Sequence, residues 1–292
     1  MKRKLSVIIA FLTVLTSLFS CQDDFMPQQE ESVVVEGWID AGGFPIVILT
    51  RSLPLRLRDD AIPLEQLQDY VIRWAKVTLS DGDTTVVLTG GKDNDYFPPF
   101  IYTTGQMRGM SGKTYTLKVE TDGQVLTAVT TIPDNPPIID SIVCRSISGD
   151  TAVSGIDVYI RNRTDCHCYY KSFYMDDIES GQFISSYLGV VDGYVADTTF
   201  VMQIMRGTTV QELEMTGFYF PNGSDVVIKV ATMDSVSFSI WQGYEDKTRL
   251  GYSYVTSSTR NIPTNINGGI GYWCGYNAVK TKRTVRFVFE NN

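Results

Sequence analysis

Three residues that could do chemistry lie together at Cys166, His167 and Cys168, and His167 is the only histidine of the chain. Thiolate and imidazole groups bind zinc, and a Cys–His pair can act as a nucleophile. The surrounding pattern predicts a strand, in which neighbouring side chains point to opposite faces. His167 would then point away from both cysteines, which disfavours a metal site and a catalytic pair. A metal site with Cys144 or Cys274 stays open only if the segment is a loop. We expect no metal and no other cofactor.

The cysteines favour disulfides instead. Besides Cys21 the chain has four, Cys144, Cys166, Cys168 and Cys274, and an even number is typical of disulfide pairing in an exported protein. A direct bond between Cys166 and Cys168 is disfavoured, because residues i and i+2 of an extended strand lie too far apart for good disulfide geometry. Free or buried thiols remain the alternative.

Short motifs that imitate binding loops are better explained as turns. The segment SGKT at 111–114 resembles the end of a phosphate-binding loop, but Met107 stands where its leading glycine is required. Gly269 and Gly271 do not form a dinucleotide-binding pattern, and close backbone packing explains them better. The carboxylates at 81–83 and 93–95 lack the calcium-loop pattern. Two carboxylic acids at a suitable distance could still hydrolyse a glycoside, but the spacing of Asp and Glu along the sequence does not single out such a pair.

An aromatic segment at 96–102 is the candidate interface. Tyr96, Phe97, Phe100 and Tyr102 share it with two prolines. Rings that are held with little loss of entropy make good anchors for a partner. The alternative is that these rings fill the core of a β-sandwich, where most aromatic side chains lie.

Composition narrows the classes of function. The 292 residues include 25 Lys and Arg against 33 Asp and Glu, which gives a net charge of −8. Nucleic-acid binding needs a clustered basic surface, so we expect no nucleic-acid partner. The single histidine also excludes most zinc enzymes and most histidine-dependent hydrolases. We expect a folded protein, since 43% of the residues are hydrophobic and 20% are charged. We expect it to be non-enzymatic, since no motif of the sequence nominates a catalytic constellation.

The first twenty residues predict a secretory signal peptide. A basic start is followed by an apolar run and by small residues just before Cys21. An uncleaved membrane anchor is disfavoured, because the uncharged run 5–20 holds 16 residues, whereas about 20 are needed to span a bilayer. The segment LFSC at 18–21 resembles a bacterial lipobox, in which the cysteine is acylated and becomes the first residue of the mature protein. Cys21 is therefore the predicted lipidation site.

Residues 21–31 predict a flexible acidic tether, because they are polar and show no apolar period. Gln22, Asp23 and Asp24 directly follow the lipidated cysteine. This acidic cluster resembles the signal that sends Bacteroidetes lipoproteins to the outside of the outer membrane. A plain acidic spacer is the alternative.

Behind the tether, short alternating segments rich in Val, Ile, Thr and Tyr are separated by Gly, Asp and Pro, which is the pattern of β-strands. Asp81-Gly82 and Asp122-Gly123 suit tight hairpins. Six or seven strands within 32–132 predict an immunoglobulin-like β-sandwich. Three prolines within 133–137 predict a linker, and 138–292 is predicted to be a second antiparallel β-rich domain. The predicted fold class is mainly β.

One segment of the second domain predicts a short helix. Asp234 is a suitable N-cap. It precedes Val236, Ile240, Trp241 and Tyr244, which recur at helical spacing. An irregular strand is the alternative, because Val, Ser and Phe are mediocre helix formers.

Several phrases of the chain resemble one known family. They are VVVEGWID at 33–40, LTRS at 49–52, GKTYTLKV at 112–119, AVTTIP at 128–133 and NINGGIG at 265–271. In this order behind a lipidated cysteine, they resemble the Bacteroidetes lipoprotein family known as domain of unknown function 4249. The resemblance implies an outer-membrane lipoprotein commonly encoded beside TonB-dependent transporters, and it brings no catalytic residues.

We therefore expect a surface-facing outer-membrane lipoprotein, held by its lipid anchor, that serves as an accessory or ligand-binding subunit of a TonB-dependent β-barrel transporter. The alternative is a free-standing lipoprotein that binds or cleaves glycans.

Overall fold

The computed structural model describes residues 31–52, 67–147, 150–176, 181–206, 217–250 and 262–286. The predicted signal peptide, Cys21 and the export residues Gln22, Asp23 and Asp24 lie outside these ranges. Ser32–Asn292 form one compact unit.

The first seven strands follow the predicted alternation. The turn between the sixth and seventh strands contains Asp122 with φ 49° and Gly123 with φ 74°, and Gly82 with φ 92° lies between the third and fourth. Both predicted hairpins are therefore confirmed. The strands are β1 (Val33–Asp40), β2 (Ile46–Arg51), β3 (Lys76–Ser80), β4 (Thr85–Gly91), β5 (Ile101–Thr103), β6 (Thr114–Thr121) and β7 (Gln124–Thr131).

The second half of the chain adds eight strands and one helix among the described residues. They are β8 (Ile138–Ile147), β9 (Asp150–Arg161), β10 (Tyr169–Met175), β11 (Ile184–Asp192), β12 (Thr199–Ile204), β13 (Phe220–Pro221), β14 (Asp225–Met233), α1 (Ser235–Leu250) and β15 (Ile270–Thr284). A short 3-10 turn at Gln68–Tyr70 precedes β3.

Most strands belong to one large sheet in the order β11-β10-β14-β15-β1-β2-β5-β4-β3-β6-β7. Strand β15 lies between β1, to which it is parallel, and β14, to which it is antiparallel. The sheet therefore crosses the linker predicted at 133–137. Strands β12, β9, β13 and β8 form a smaller sheet. The predicted division into domains 32–132 and 138–292 stays a prediction about independent folding.

The large sheet folds back on itself, so that β7 contacts β15 across a shared core. Trp273 of β15 is fully buried in this core, and its indole N–H donates to the Tyr115 carbonyl oxygen at 3.2 Å. Gly37 of β1 makes room for the indole, because a Cβ atom there would lie 2.8 Å from a Trp273 ring carbon. The predicted mainly β, sandwich-like fold is confirmed.

The predicted helix is also confirmed. The Asp234 carboxylate accepts a hydrogen bond from the Ser237 backbone N–H at 2.7 Å, which is an N-cap contact. Its other oxygen accepts from the Thr130 hydroxyl and the Thr131 N–H, each at 2.9 Å. One side chain thus starts α1 and ties it to β7. Within the described ranges, no helix is both long and apolar enough to cross a bilayer.

Candidate functional site

The structure joins Cys166 and Cys168 in a disulfide, with their Cα atoms 5.8 Å apart. The expectation that these two cysteines do not bond to each other is wrong. It rested on a strand through both residues, whereas β10 begins only at Tyr169. The segment before β10 bends, which allows the Cα separation usual for a disulfide.

The two other predicted disulfide cysteines are free thiols: Cys144 is half-buried and Cys274 is buried. Burial raises the pKa of Cys274 to about 12. This thiol therefore stays protonated and inert near neutral pH. Across the described part of the chain, no three His, Cys, Asp or Glu side chains are placed to hold a metal ion.

His167 lies at the surface between two tyrosines. Its ring centroid is 4.6 Å from that of Tyr169 and 5.1 Å from that of Tyr194. The Nε2 atom is 2.7 Å from an Asp192 carboxylate oxygen. These contacts fix the ring beside the disulfide. Because Cys166 and Cys168 are bonded to each other, neither of these neighbours offers a thiolate to His167.

The candidate interface residues divide between the core and a half-buried layer. Tyr102 is only 2% exposed and belongs to the core. The half-buried Phe100 packs edge-on against it, with ring centroids 5.6 Å apart. The ring centroid of Tyr96 lies 6.0 Å from that of Trp38, with the planes tilted by 42°, and Phe97 is half-buried. Tyr102 therefore belongs mainly to the core, and its small exposed part lines a surface groove together with Trp74.

The most exposed large aromatic residue described is instead Trp74, whose exposed fraction is 91%. The backbone on both sides of it is fixed by Tyr102. The Tyr102 hydroxyl donates to the Ile72 carbonyl oxygen at 3.0 Å and accepts from the Ala75 N–H at 3.1 Å. Ile72 itself is buried. Trp74 is thus presented to solvent by an ordered segment.

Trp74 borders a surface groove of about 720 Å³, which we call the Trp74 groove. Two ion pairs lie along it: Lys76 is 3.3 Å from Glu120, and Arg51 is 2.6 Å from Asp122. Hydrogen bonds from Lys118 and Lys76 hold the pKa of Glu120 below its usual value. The groove therefore combines an aromatic face with ionised and hydrogen-bonding groups. Its lining is Arg73, Trp74, Ala75, Lys76, Gly90, Tyr102, Glu120, Thr121, Asp122, Gly123, Gln124 and Val125.

This groove was not predicted from the sequence, because the residue pattern at 71–80 indicates one strand that includes Trp74, and a tryptophan in such a strand is typical of a core. The strand β3 starts only at Lys76. The adjacent Arg73 interrupts the apolar alternation before Trp74, and this is the one local signal that could have indicated exposure.

A second group of functional side chains lies beneath α1, on the face of the sheet opposite the Trp273 core. We call it the helix face. Lys229 of β14 is buried, with its Nζ atom 2.6 Å from one Asp40 oxygen, and Lys280 lies 3.1 Å from the other. The rings of Phe173 and Tyr276 each lie 4.9 Å from the Lys229 ammonium. Burial lowers the pKa of Lys229, although Asp40 opposes that change.

The helix face also holds Lys171 of β10, which is fully buried. Its Nζ atom lies 3.2 Å from the Glu245 carboxylate and 3.3 Å from the Ser186 carbonyl oxygen. It is also 4.8 Å from the Trp241 ring. Burial lowers the pKa of Lys171 to about 8, against the attraction of Glu245. Both lysines are shielded from solvent and held by carboxylates, so neither is positioned to attack a substrate.

The fold and the Trp74 groove define a β-sandwich protein with a preformed surface site. The chain belongs to the family described as domain of unknown function (DUF4249), whose model matches residues 22–282. The match confirms the resemblance seen in the sequence. No curated protein matches the chain.

Proposed function

We propose that this chain is a non-enzymatic, surface-facing outer-membrane lipoprotein that acts as an accessory or ligand-binding subunit of a TonB-dependent transporter. The lipid anchor and the location rest on the sequence around Cys21. The binding role is supported by one structural observation: the Trp74 side chain is exposed, while the backbone on both sides of it is ordered.

Tryptophan is enriched among the residues that dominate binding energy at protein interfaces. An exposed Trp on a backbone that is already ordered avoids the entropy cost of ordering that backbone on binding. The Tyr102 hydroxyl supplies that order at Trp74 through its contacts with Ile72 and Ala75. Val125 adds apolar surface to the same groove, since 55% of it is exposed. An apolar centre with ion pairs around it suits a protein partner.

The test is recovery of a partner from native membranes. The full-length chain is isolated in mild detergent, and the proteins that accompany it are identified by mass spectrometry. We expect a large β-barrel protein with the wild type and about tenfold less of it with Trp74→Ala. Tyr194→Ala is the matched control, because it removes an aromatic side chain that is 79% exposed on another surface. If the wild type recovers no barrel protein, the transporter proposal is wrong.

Glycan binding is the second candidate, and the composition of the groove favours it. The Trp74 ring offers a flat apolar face, and Glu120, Asp122 and Gln124 offer hydrogen-bonding groups beside it. Retardation of the full-length chain in polysaccharide-containing gels would support this role if Trp74→Ala abolished it. Release of reducing ends from the polysaccharide would indicate cleavage and would contradict the non-enzymatic proposal.

A further inference from the structure

Glu36 is a carboxylate in an unusual position, near the centre of the large sheet. Alternation along β1 points Val35 into the Trp273 core, so the neighbouring Glu36 points to the helix face, as Trp38 does. Its cross-strand neighbours are Tyr272 on β15 and Ile48 on β2. Glu36 thus lies on a strand that is hydrogen-bonded to a neighbour on each side, β15 and β2, and not on a loop.

Three aromatic rings contact one another in a series that begins at Tyr272, the cross-strand neighbour of Glu36. The ring of Trp241 from α1 lies 5.3 Å from that of Tyr272, at an interplanar angle of 48°. The ring of Tyr244, one turn further along α1, lies 6.0 Å from that of Trp241, at 77°. The planes of the three rings therefore differ in orientation, and the rings are not stacked on one another. Solvent reaches the site, because Glu36 and Tyr244 are both exposed.

Within the described residues, Glu36 differs from Asp40 and Glu245 of the helix face in having no charged partner. Asp40 is paired with Lys229, and Glu245 is paired with Lys171. Among the residues that the structure describes, none forms an ion pair or a side-chain hydrogen bond with Glu36. The protein around the open carboxylate removes part of its hydration, which raises the pKa of Glu36.

The Glu36 charge also acts on the tyrosines nearby. After desolvation, it is the next largest cause that raises the pKa of Tyr272 and of Tyr244. Tyr272 is also the cross-strand neighbour of Glu36, and Tyr244 is joined to Tyr272 through the Trp241 ring, so the four groups lie together on the helix face.

We propose that Glu36, Tyr272, Trp241 and Tyr244 form a binding site for an organic ammonium group. A cation gains from a carboxylate that lacks a counter-ion and from the negative faces of aromatic rings, and this combination is the usual recognition mode for quaternary ammonium ligands. Trp241 already lies 4.8 Å from one ammonium, that of the buried Lys171. That lysine is paired with Glu245 and is fully buried, so it cannot satisfy Glu36. The site is separate from the Trp74 groove and does not depend on the function proposed for it.

Choline is the probe, and its neutral isostere 3,3-dimethylbutan-1-ol is the matched ligand control. Isothermal titration calorimetry on the full-length chain at low ionic strength should show binding of choline and at least about tenfold weaker binding of the isostere. This comparison uses the wild type alone, so it does not depend on whether a variant folds. Absence of choline binding, or equal binding of the two ligands, would overturn the proposal.

Variants then locate the site. Glu36→Gln keeps the shape of the side chain and should weaken choline binding about tenfold. Asp246→Asn removes the same charge from an exposed position on α1 and should leave the affinity unchanged. Trp74→Ala should also leave it unchanged. If Trp74→Ala abolished binding while Glu36→Gln did not, choline would bind in the Trp74 groove and the proposed site would be wrong.

Discussion

Lys171 should make the stability of this protein increase with pH across an alkaline window. Its ammonium is fully buried, and burial lowers its pKa from the ordinary 10.5 to about 8. Below pH 8 the side chain is protonated in both states, and the folded state bears the cost of the buried charge. Between about pH 8 and 10.5 the folded state has released this proton while the unfolded state still binds it, so stability rises with pH.

The size of the effect follows from the two pKa values. Each unit of difference between the folded and unfolded states corresponds to about 1.36 kcal/mol, so the change from 10.5 to about 8 corresponds to about 3 kcal/mol. Lys171→Met has no ionisable group and should lose this rise. Titrating groups that do not contact Lys171 act equally in both proteins, so the difference between wild type and variant isolates Lys171 and its partner Glu245.

Urea unfolding at several pH values measures this difference. From about pH 7 to 10.5, the free energy of unfolding of the wild type should gain about 3 kcal/mol relative to Lys171→Met. Lys92→Met, at an exposed position, is the control and should run parallel to the wild type. A constant difference between wild type and Lys171→Met over the whole range would refute the reasoning.

Three further predictions concern packing and the anchor. Asp40→Asn leaves the Lys229 ammonium buried without its partner and should lower the free energy of unfolding by about 3–5 kcal/mol in urea, a loss that would be absent if the pair contributed nothing. Gly271→Ala places a Cβ atom against the Val35 carbonyl oxygen at a residue with φ +109°, and it should destabilise by at least about 3 kcal/mol in the same assay. Cys21→Ser should abolish acyl labelling in cells, and unchanged labelling would exclude Cys21 as the lipidation site.

Much of the local structure could be predicted from the sequence. The segment VVVEGWID at 33–40, which is rich in β-branched residues, forms the whole of strand β1 (Val33–Asp40). Asp234 caps the one described α-helix as its residue type predicts. The prediction of close packing at Gly271 is also confirmed, because the Val35 carbonyl leaves no room for a Cβ atom. These features depend on residues that are close in sequence or on the conformational limits of single residues, so they leave a local pattern.

The candidate sites could not be predicted in the same way. The residues around them predict that Tyr102 belongs to a surface and Trp74 to the core. In the structure Tyr102 is in the core and Trp74 is exposed. Which of two apolar rings is buried depends on what packs over it, and the neighbouring residues in sequence do not specify that.

The mainly β class, the two hairpins, the cap of α1 and the family can be recognised from the amino-acid sequence alone, because each of these has a short-range signature. The insertion of β15 between β1 and β14 is visible only in the folded chain. This insertion places Tyr272 beside Glu36 and Tyr276 beside Asp40, from opposite ends of the chain. Pairing between such distant segments is selected by the free energy of the whole sheet and its cores, which no local pattern of residues encodes.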